Sequence, residues 1–170
     1  MGLRDDAEPL GAGAPRIPVL TGCAWSFADG LRAADILPPA AWDLPAADAV
    51  RHLFADLDTT LAARIGPGDV LVAGQQLGAG PGGGAAARAL RAAGMLAVVA
   101  ATYADDFDGA LLDAGVPALA VDAPAVFHTG QRLRVNLEGG TIANLSSGDR
   151  QPIRNLTEPM LARLRDLLAA

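Results

Sequence analysis

Three continuous apolar segments, separated by helical patterns, constrain this chain more than any other feature of its sequence. The segments cover residues 69–73, 95–101 and 116–121, and helices are expected between them over residues 85–93 and 105–114. Strands without polar alternation are buried on both faces, which is typical of a parallel sheet covered by helices. The pattern therefore predicts an α/β fold with a mainly parallel β-sheet flanked by helices.

The segments before the first of these strands predict a strand, a loop and a helix. The strand is expected within residues 17–27, and prolines and a glycine break residues 28–45 into a loop. Apolar residues at three- and four-residue spacing then predict one helix that begins at Ala46 and ends before Gly66. Its buried face would comprise Val50, Leu53, Phe54, Leu57 and Leu61.

The last third of the chain changes to polar–apolar alternation. Residues 131–137 are interpreted as a half-buried strand, and residues 141–145 as its partner in a C-terminal β-hairpin. A short strand near residues 152–155 and a closing helix over residues 158–168 complete the expected fold.

The composition fits one globular domain over residues 17–170, preceded by a flexible tail at residues 1–16. Hydrophobic residues make up 51% of the 170 residues, which is enough for a sizeable core. The net charge of −6 argues against a nucleic-acid partner, because phosphate binding needs clustered cations. No apolar run approaches the ~20 residues needed to span a bilayer. The tail lacks a signal-peptide pattern, so no membrane contact and a cytoplasmic location are expected.

Potential metal ligands are few. Cys23 is the only cysteine, which excludes a cysteine-ligated iron–sulfur or zinc site within this chain. His52 and His128 lie far apart in sequence, so no metal or other cofactor is expected in this chain. Cys23 is interpreted as an inert buried thiol, and His52 as a packing residue.

The glycine turn, residues 74–84, joins a buried strand to the start of a helix. Free backbone N–H groups and the helix dipole make such a turn attractive to an anion. The alternative is that the glycines only permit a tight turn and close packing. Residues 78–83 satisfy the pattern G-x-G-x-x-G, but the next strand ends in Thr102 and Tyr103 without the acidic residue that dinucleotide binding requires.

Several segments, in unbroken order from about residue 18 to 165, resemble the small, swivelling subunit of isopropylmalate dehydratase in the aconitase superfamily. Residues 74–80 resemble the Gly-x-Asn-Phe-Gly-x-Gly turn of that family, and residues 102–107 its Ser-Phe-Ala-Asp-x-Phe segment. The other matching segments are residues 24–29, 35–38, 54–58, 91–94 and 130–142. The resemblance implies an aconitase-type swivelling domain that pairs with a large subunit carrying a 4Fe–4S cluster.

The chain departs from the family where the family places its catalytic side chains. The family has Ser-Ser-Arg-Glu-His after the glycine turn, in which the resemblance implies a serine base and a carboxylate-binding arginine. This chain has Pro81-Gly82-Gly83-Gly84-Ala85 there, without a base or a charge. The Asp-Thr-Asp of the first loop is replaced by Arg32-Ala33-Ala34, and only Asp29 keeps its expected identity. Ordinary isopropylmalate isomerisation is therefore not expected.

Polar residues that remain near the carboxyl ends of the strands are the candidate site, because ligands of open parallel sheets bind at that edge. Asp29 and Asp105 are the candidate catalytic acid and base, although capping of the next helix is the favoured role of Asp105. Arg32 is a candidate carboxylate clamp. The other candidates for substrate binding are Gln75, Gln76, Gly78, Gly80, Gly82, Gly83 and Tyr103.

Three functions stay open. The first is a divergent small subunit that acts with a cluster-bearing large subunit as a hydro-lyase or isomerase on a small carboxylic acid. The second is a self-contained enzyme of specialised metabolism that reuses the swivelling-domain cavity without a cluster, as a monomer or a homo-oligomer. The third is a non-catalytic binding module.

Overall fold

A computed structural model describes residues 17–168, and the tail predicted for residues 1–16 lies outside the described residues. The strands are β1 (Leu20–Ser26), β2 (Val70–Val72), β3 (Ala97–Ala100), β4 (Ala118–Ala120), β5 (Arg132–Asn136), β6 (Thr141–Asn144) and β7 (Arg150–Pro152). The helices are α1 (Ala33–Ile36), α2 (Ala46–Ala49), α3 (Leu61–Arg64), α4 (Gly83–Ala92), α5 (Phe107–Ala114) and α6 (Glu158–Leu168). In this part of the chain, no helix combines the length and apolar character needed to cross a bilayer.

The strands form one seven-stranded sheet in the order β4-β3-β2-β1-β5-β6-β7. Strands β1 to β4 pair in parallel, whereas β1 with β5, β5 with β6 and β6 with β7 are antiparallel. The α/β class and the C-terminal hairpin are thus confirmed. More of the strand pairs are antiparallel than the sequence indicates. Strand β5 of the hairpin pairs with the free edge of β1, and β7 adds a further strand to the hairpin.

The sheet separates two hydrophobic cores. Successive side chains of a strand point to opposite faces, so Leu71 of β2 enters one core while Val70 and Val72 enter the other. Helices α4 and α5 pack on the first core, and α6 contributes Leu164 to the second. Coverage of both faces explains why β2 and β3 contain no polar residue.

The single helix expected to begin at Ala46 is wrong, because the chain breaks it into α2, a 3₁₀ turn and α3. Phe54 adopts a left-handed φ of 58° and donates its N–H to the Ile36 carbonyl at 2.7 Å. Its ring is fully buried and stacks on Phe27 with ring centroids 4.6 Å apart. Burial of this ring against β1 overrides the helical periodicity, and it leaves Leu57 half exposed instead of in the core.

Strand β7 begins two residues before the segment expected near residues 152–155, and the residues after it contact the opposite end of the sheet. Asn155 accepts the Ala120 N–H at 2.9 Å and donates to the Ala118 carbonyl at 2.9 Å. The Arg154 N–H donates to the Ala120 carbonyl at 2.7 Å. The segment after the last strand therefore reaches β4, and the side chain of Asn155 binds backbone groups on the outer edge of β4.

Candidate functional site

The glycine turn is fastened on one side to the loop that follows β1. Asp29 Oδ1 accepts the Gln75 N–H at 2.8 Å, and the Gly30 N–H donates to the Gln75 carbonyl at 2.8 Å. Further along, the Gly78 N–H donates to the Leu31 carbonyl at 2.7 Å. These bonds join two loops that are distant in sequence but follow neighbouring parallel strands.

On its other side the turn is fastened to the connection between β3 and α5. Thr102 accepts two N–H groups, that of Gln76 at its Oγ1 at 2.8 Å and that of Leu77 at its carbonyl at 3.1 Å. Asp105 Oδ2 accepts the Gly80 N–H at 2.9 Å. The turn is therefore held between its two neighbours along the edge of the sheet.

The expectation of free backbone donors along the whole turn is wrong for Gln75, Gln76, Gly78 and Gly80. Their N–H groups donate inside the chain because the flanking loops supply acceptors. A ligand that contacts this part of the turn has to use side chains instead. Gln75 and Gln76 are both exposed, and Gln76 has a left-handed φ of 58°.

The start of α4 is the part of the turn that keeps free donors, because the first N–H groups of a helix have no intrahelical acceptor. Gly82, which precedes the helix, has a φ of 96°, and a Cβ there would overlap the ring of Trp42. Gly83 and Gly84 follow as the first two helical residues. Trp42 is itself fixed by a 2.8 Å hydrogen bond from its Nε1 to the Leu37 carbonyl. The tryptophan thus occupies the space that a side chain at residue 82 would need.

Asp105 does not cap α5 as favoured above. The residue before the helix is Asp106, whose side chain makes no capping bond, and Asp105 instead holds Gly80. Both aspartates have left-handed φ angles, of 49° and 59°. Aspartate tolerates this conformation better than most residues, which fits the tight connection between β3 and α5.

Asp29 is also held in place. A Cβ on Gly74 would overlap the Asp29 carboxylate, so only glycine at residue 74 leaves room for the carboxylate beside the Gln75 N–H. Asp29 and Asp105 are both exposed, and they bind the turn near its two ends. The structure therefore brings the two candidate carboxylates to the same edge of the sheet, each bonded to the turn.

Arg32 pairs with a carboxylate of its own loop. Its Nη2 lies 3.1 Å from Asp35 Oδ1, and its Nε lies 3.3 Å from Asp35 Oδ2. The hydrogen bond from Arg32 lowers the pKa of Asp35 and raises the pKa of Arg32. A role of Arg32 as a substrate clamp requires that it leave this partner.

Tyr103 does not face the mouth, which corrects its predicted role in substrate binding. Its hydroxyl lies against carbonyls of the parallel strands, 2.8 Å from that of Leu119 and 3.1 Å from that of Val98. Burial raises the pKa of Tyr103 well above its ordinary value, and the charge of Asp108 raises this pKa further. The hydroxyl therefore belongs to the packing between β3, β4 and the loop after β3.

A cavity of about 490 Å³ opens at the carboxyl ends of the four parallel strands. Of the candidate residues only Asp29 and Gln75 line it, and residues 78–84 do not. One wall of the cavity is the segment 122–128, which follows β4 and is called the roof. Sequence reasoning missed this segment. The complete lining is Ser26, Phe27, Ala28, Asp29, Val72, Ala73, Gly74, Gln75, Ala101, Asp122, Ala123, Pro124, Ala125 and His128. The signal that points to the roof is its position directly after a buried parallel strand.

Within residues 17–168, the potential metal ligands are not brought together. Among residues 17–168, no three or more His, Cys, Asp or Glu side chains are grouped so that they could hold a metal ion. His52 lies in the 3₁₀ turn after α2, and Cys23 is half-buried in β1. Trp25 donates its Nε1 to Asp69 Oδ2 at 2.7 Å, beneath the guanidinium of Arg64.

Four parallel strands, of which β2 leads into the glycine turn, form one half of the sheet, and antiparallel strands form the other half. This arrangement defines an aconitase-type swivelling α/β domain. A crystal structure of 3-isopropylmalate dehydratase from Methanocaldococcus jannaschii shares this fold with a TM-score of 0.77. The match covers 82% of this chain and 84% of that chain at 20% sequence identity.

Sequence relatives give the family. The chain is 30% identical over 149 residues to 3-isopropylmalate dehydratase small subunit 2 of Archaeoglobus fulgidus, covering 86% of this chain and 90% of the relative. It is 37% identical over 128 residues to the small subunit of Pyrobaculum neutrophilum, covering 72% and 78%. No family model matches the chain. The chain belongs to the family of 3-isopropylmalate dehydratase small subunits.

Proposed function

We propose that this chain is the swivelling small subunit of a hydro-lyase or isomerase of the aconitase superfamily that acts on a small carboxylic acid. The observation that carries the proposal is the extent of the relationship, which spans 86% of the chain and 90% of a relative that is itself a small subunit. The proposal includes a large subunit that carries a 4Fe–4S cluster.

The residues of this chain do not fit a cluster of its own. Iron–sulfur clusters are held by several cysteine thiolates, and Cys23 is the only cysteine. The cluster is therefore proposed for the partner alone. This chain contributes substrate binding and proton transfer.

The substrate carboxylate is proposed to bind at the start of α4. The free N–H groups there carry the positive end of the helix dipole, and Gly82, Gly83 and Gly84 put no side chain over them. The family pattern places its arginine at the position of Gly83. Backbone donors make weaker bonds to a carboxylate than a guanidinium does, so the acid is expected to bind less tightly than in relatives with the arginine.

Asp29 and Asp105 stay the proposed catalytic carboxylates. Each accepts one N–H of the glycine turn, which fixes its position at the strand ends. A carboxylate that is held in this way can accept a proton from a bound substrate without first being ordered. Gln75 and Gln76 are proposed to contact the uncharged part of the substrate.

The test of the proposal is complex formation and turnover with a cluster-bearing large subunit from the same genome. Light scattering after anaerobic reconstitution should detect a complex at micromolar concentration, and the assay should follow formation of an unsaturated acid. A chain that neither binds such a subunit nor supports turnover with it would sink the proposal.

Gly84→Asp tests the binding role of α4 within that complex. An acidic residue in the first turn stabilises a helix but repels a bound anion. The exposed position is tolerant, since a Cβ at residue 84 meets only the flexible end of Arg88 at 3.2 Å. The KM should rise about tenfold while thermal stability is kept. Gly84→Ala is the matched control, and equal KM values for the two variants would contradict binding at α4.

One observation favours the second function, that of a self-contained protein without a cluster. The cavity beneath the segment 122–128 is complete within a single chain and has the size of a small-molecule site.

A further inference from the structure

We propose that the cavity at the strand ends is a ligand site for a small molecule with a protonated amine and a branched apolar body. It needs no partner subunit, so it goes beyond the function proposed above. It also differs from the start of α4, because none of Gly82, Gly83 and Gly84 lines it, although it shares Asp29 and Gln75 with the function proposed above.

The cavity is preformed, because side chains from elsewhere in the chain hold its roof. Gln151 Oε1 accepts the Ala123 N–H at 3.1 Å, and Gln131 Oε1 accepts the His128 N–H at 2.8 Å. At the near wall, Thr129 Oγ1 accepts the Ser26 N–H at 2.8 Å. A site that is already ordered does not lose the free energy of ordering when a ligand binds.

Asn144 explains why the roof is so well fixed. It is the only polar residue that is almost fully buried among residues 17–168, with 1% of its surface exposed. Its Nδ2 donates to the Val126 carbonyl at 3.1 Å and to Gln131 Oε1 at 2.6 Å. A buried amide is costly unless it is fully bonded, and here its bonds connect β6 to the roof.

The charge of the lining selects a cation. The titratable side chains in the lining are Asp29, Asp122 and His128, and no arginine lines the cavity. Asp122 is balanced by Arg154, whose Nε lies 2.9 Å from Asp122 Oδ1. The Nη2 of the same guanidinium donates to the carbonyls of Ala101 and Val121.

Asp29 has no such counter-ion among the described residues. Among residues 17–168, its carboxylate accepts the backbone N–H of Gln75, and Gly74, which has no side chain, leaves room for that carboxylate at the cavity wall. A fixed carboxylate without a cation favours an ammonium group and disfavours a carboxylate ligand. The start of α4 is therefore expected to bind acids, and the cavity is expected to bind amines.

The rest of the lining gives the shape of the ligand. The lining also contains apolar side chains, namely Phe27, Val72, Ala73, Ala101 and Pro124. Such walls favour a compact branched hydrocarbon body over an extended polar chain. Ser26 and Gln75 add hydrogen-bonding groups at the rim, which suit a further hydroxyl on the ligand.

The experiment is a titration of the ¹⁵N-labelled chain, without a partner, followed by amide chemical shifts. Three probes share one branched body: 3-methylbutylamine, 3-methylbutan-1-ol and 4-methylpentanoate. We expect the amine to bind at least tenfold more tightly than the acid and to shift the amides of Gly74, Gln75 and His128. Equal binding of the three probes, or amine-induced shifts that map elsewhere, would overturn the proposal.

Variants separate the charge of Asp29 from the cavity itself. Asp29→Asn keeps an oxygen that can accept the Gln75 N–H, and it should weaken amine binding about tenfold without affecting the alcohol. Asp113→Asn removes the same charge at the distant ion pair with Arg163, and it should change nothing. Ala125→Leu, at an exposed roof position, should block all three probes. Full amine binding in both Asp29→Asn and Ala125→Leu refutes the site.

Discussion

The glycine turn and the roofed cavity lie at the same strand ends, yet they use polar groups in opposite ways. The turn uses its backbone N–H groups to bind neighbouring loops, and its residues 81–84 are one proline and three glycines. The cavity keeps ionisable side chains on its walls, while side-chain amides bind the backbone of its roof. The backbone donors of the turn are therefore used inside the chain, whereas the cavity leaves side chains in its lining.

Trp42 restricts which side chains residue 82 can carry. The ring packs where a side chain at residue 82 would lie, and Gly82 has a φ that other residues seldom adopt. Glycine at residue 82 and the packing of Trp42 therefore depend on each other. A side chain introduced at residue 82 alone would have to displace the tryptophan ring.

Gly82→Ser should have the largest effect of the changes considered. The overlap with Trp42 and the positive φ together should lower the free energy of unfolding by about 3 kcal/mol, as measured by urea denaturation. Gly80→Ser is the matched control, since φ at residue 80 is 85° but no atom lies near its Cβ position. It should lose about 1 kcal/mol. Equal losses of unfolding free energy in the two variants would show that Trp42 does not restrict the side chain at residue 82.

Asn144→Ala should have the next largest effect, because Asn144 binds the roof of the cavity. The change removes four hydrogen bonds, to Val126, Gln131, Ser146 and Ser147, and leaves a buried carbonyl without its donor. Unfolding should become easier by about 2–3 kcal/mol, and affinity for the amine probe should fall as the roof loosens. Asn136→Ala, which removes one bond to the Gly139 N–H, should cost less than half as much. If Asn144→Ala leaves the affinity for the amine probe unchanged, the hydrogen bonds that hold the roof do not contribute to binding in the cavity.

Much of this fold can be predicted from the sequence because apolar runs report burial directly. The strands β2, β3 and β4 and the helices α4 and α6 lie where the pattern predicts them. The break at Phe54 cannot be predicted locally, because it depends on a ring contact with Phe27, which lies just after β1 and is distant in sequence. The periodicity of that segment is helical, and tertiary burial overrides it.

The site was harder to predict than the fold, for a similar reason. The hydrogen bond from Gln75 to Asp29 joins residues that are 46 positions apart, and the bond from Gly80 to Asp105 joins residues that are 25 positions apart. The roof of the cavity has no motif of its own, and it is held by the side-chain amides of Gln131, just before β5, Asn144 of β6 and Gln151 of β7. Sequence reasoning places the candidate residues at the carboxyl edge of the parallel strands, but it cannot assign partners to the backbone donors there.

Asp105→Ala should have a smaller effect, confined to the turn. It removes the acceptor of the Gly80 N–H at an exposed site, where water replaces part of the bond, so the loss of stability should be about 1 kcal/mol. Exchange of the Gly80 amide proton should become about tenfold faster. Asp105→Asn keeps an acceptor and tolerates the left-handed backbone, so it should retain slow exchange. Fast exchange in both variants would show that the Asp105 charge, rather than its oxygen, holds the turn.

The smallest effect is expected from acid titration of Asp35, the partner of Arg32 in the loop beside the turn. The hydrogen bond from Arg32 lowers the pKa of Asp35 in the folded state, so the ionised carboxylate stabilises the fold above its ordinary pKa of about 4. That contribution is lost as the pH falls through the lowered pKa of the folded state. Arg32→Ala should therefore flatten the pH dependence of unfolding below about pH 4, with Arg51→Ala, in the more exposed pair with Asp48, as the control. If Arg32→Ala leaves the acid limb unchanged, the pair does not fix the loop, and Arg32 is free to reach a ligand at the start of α4.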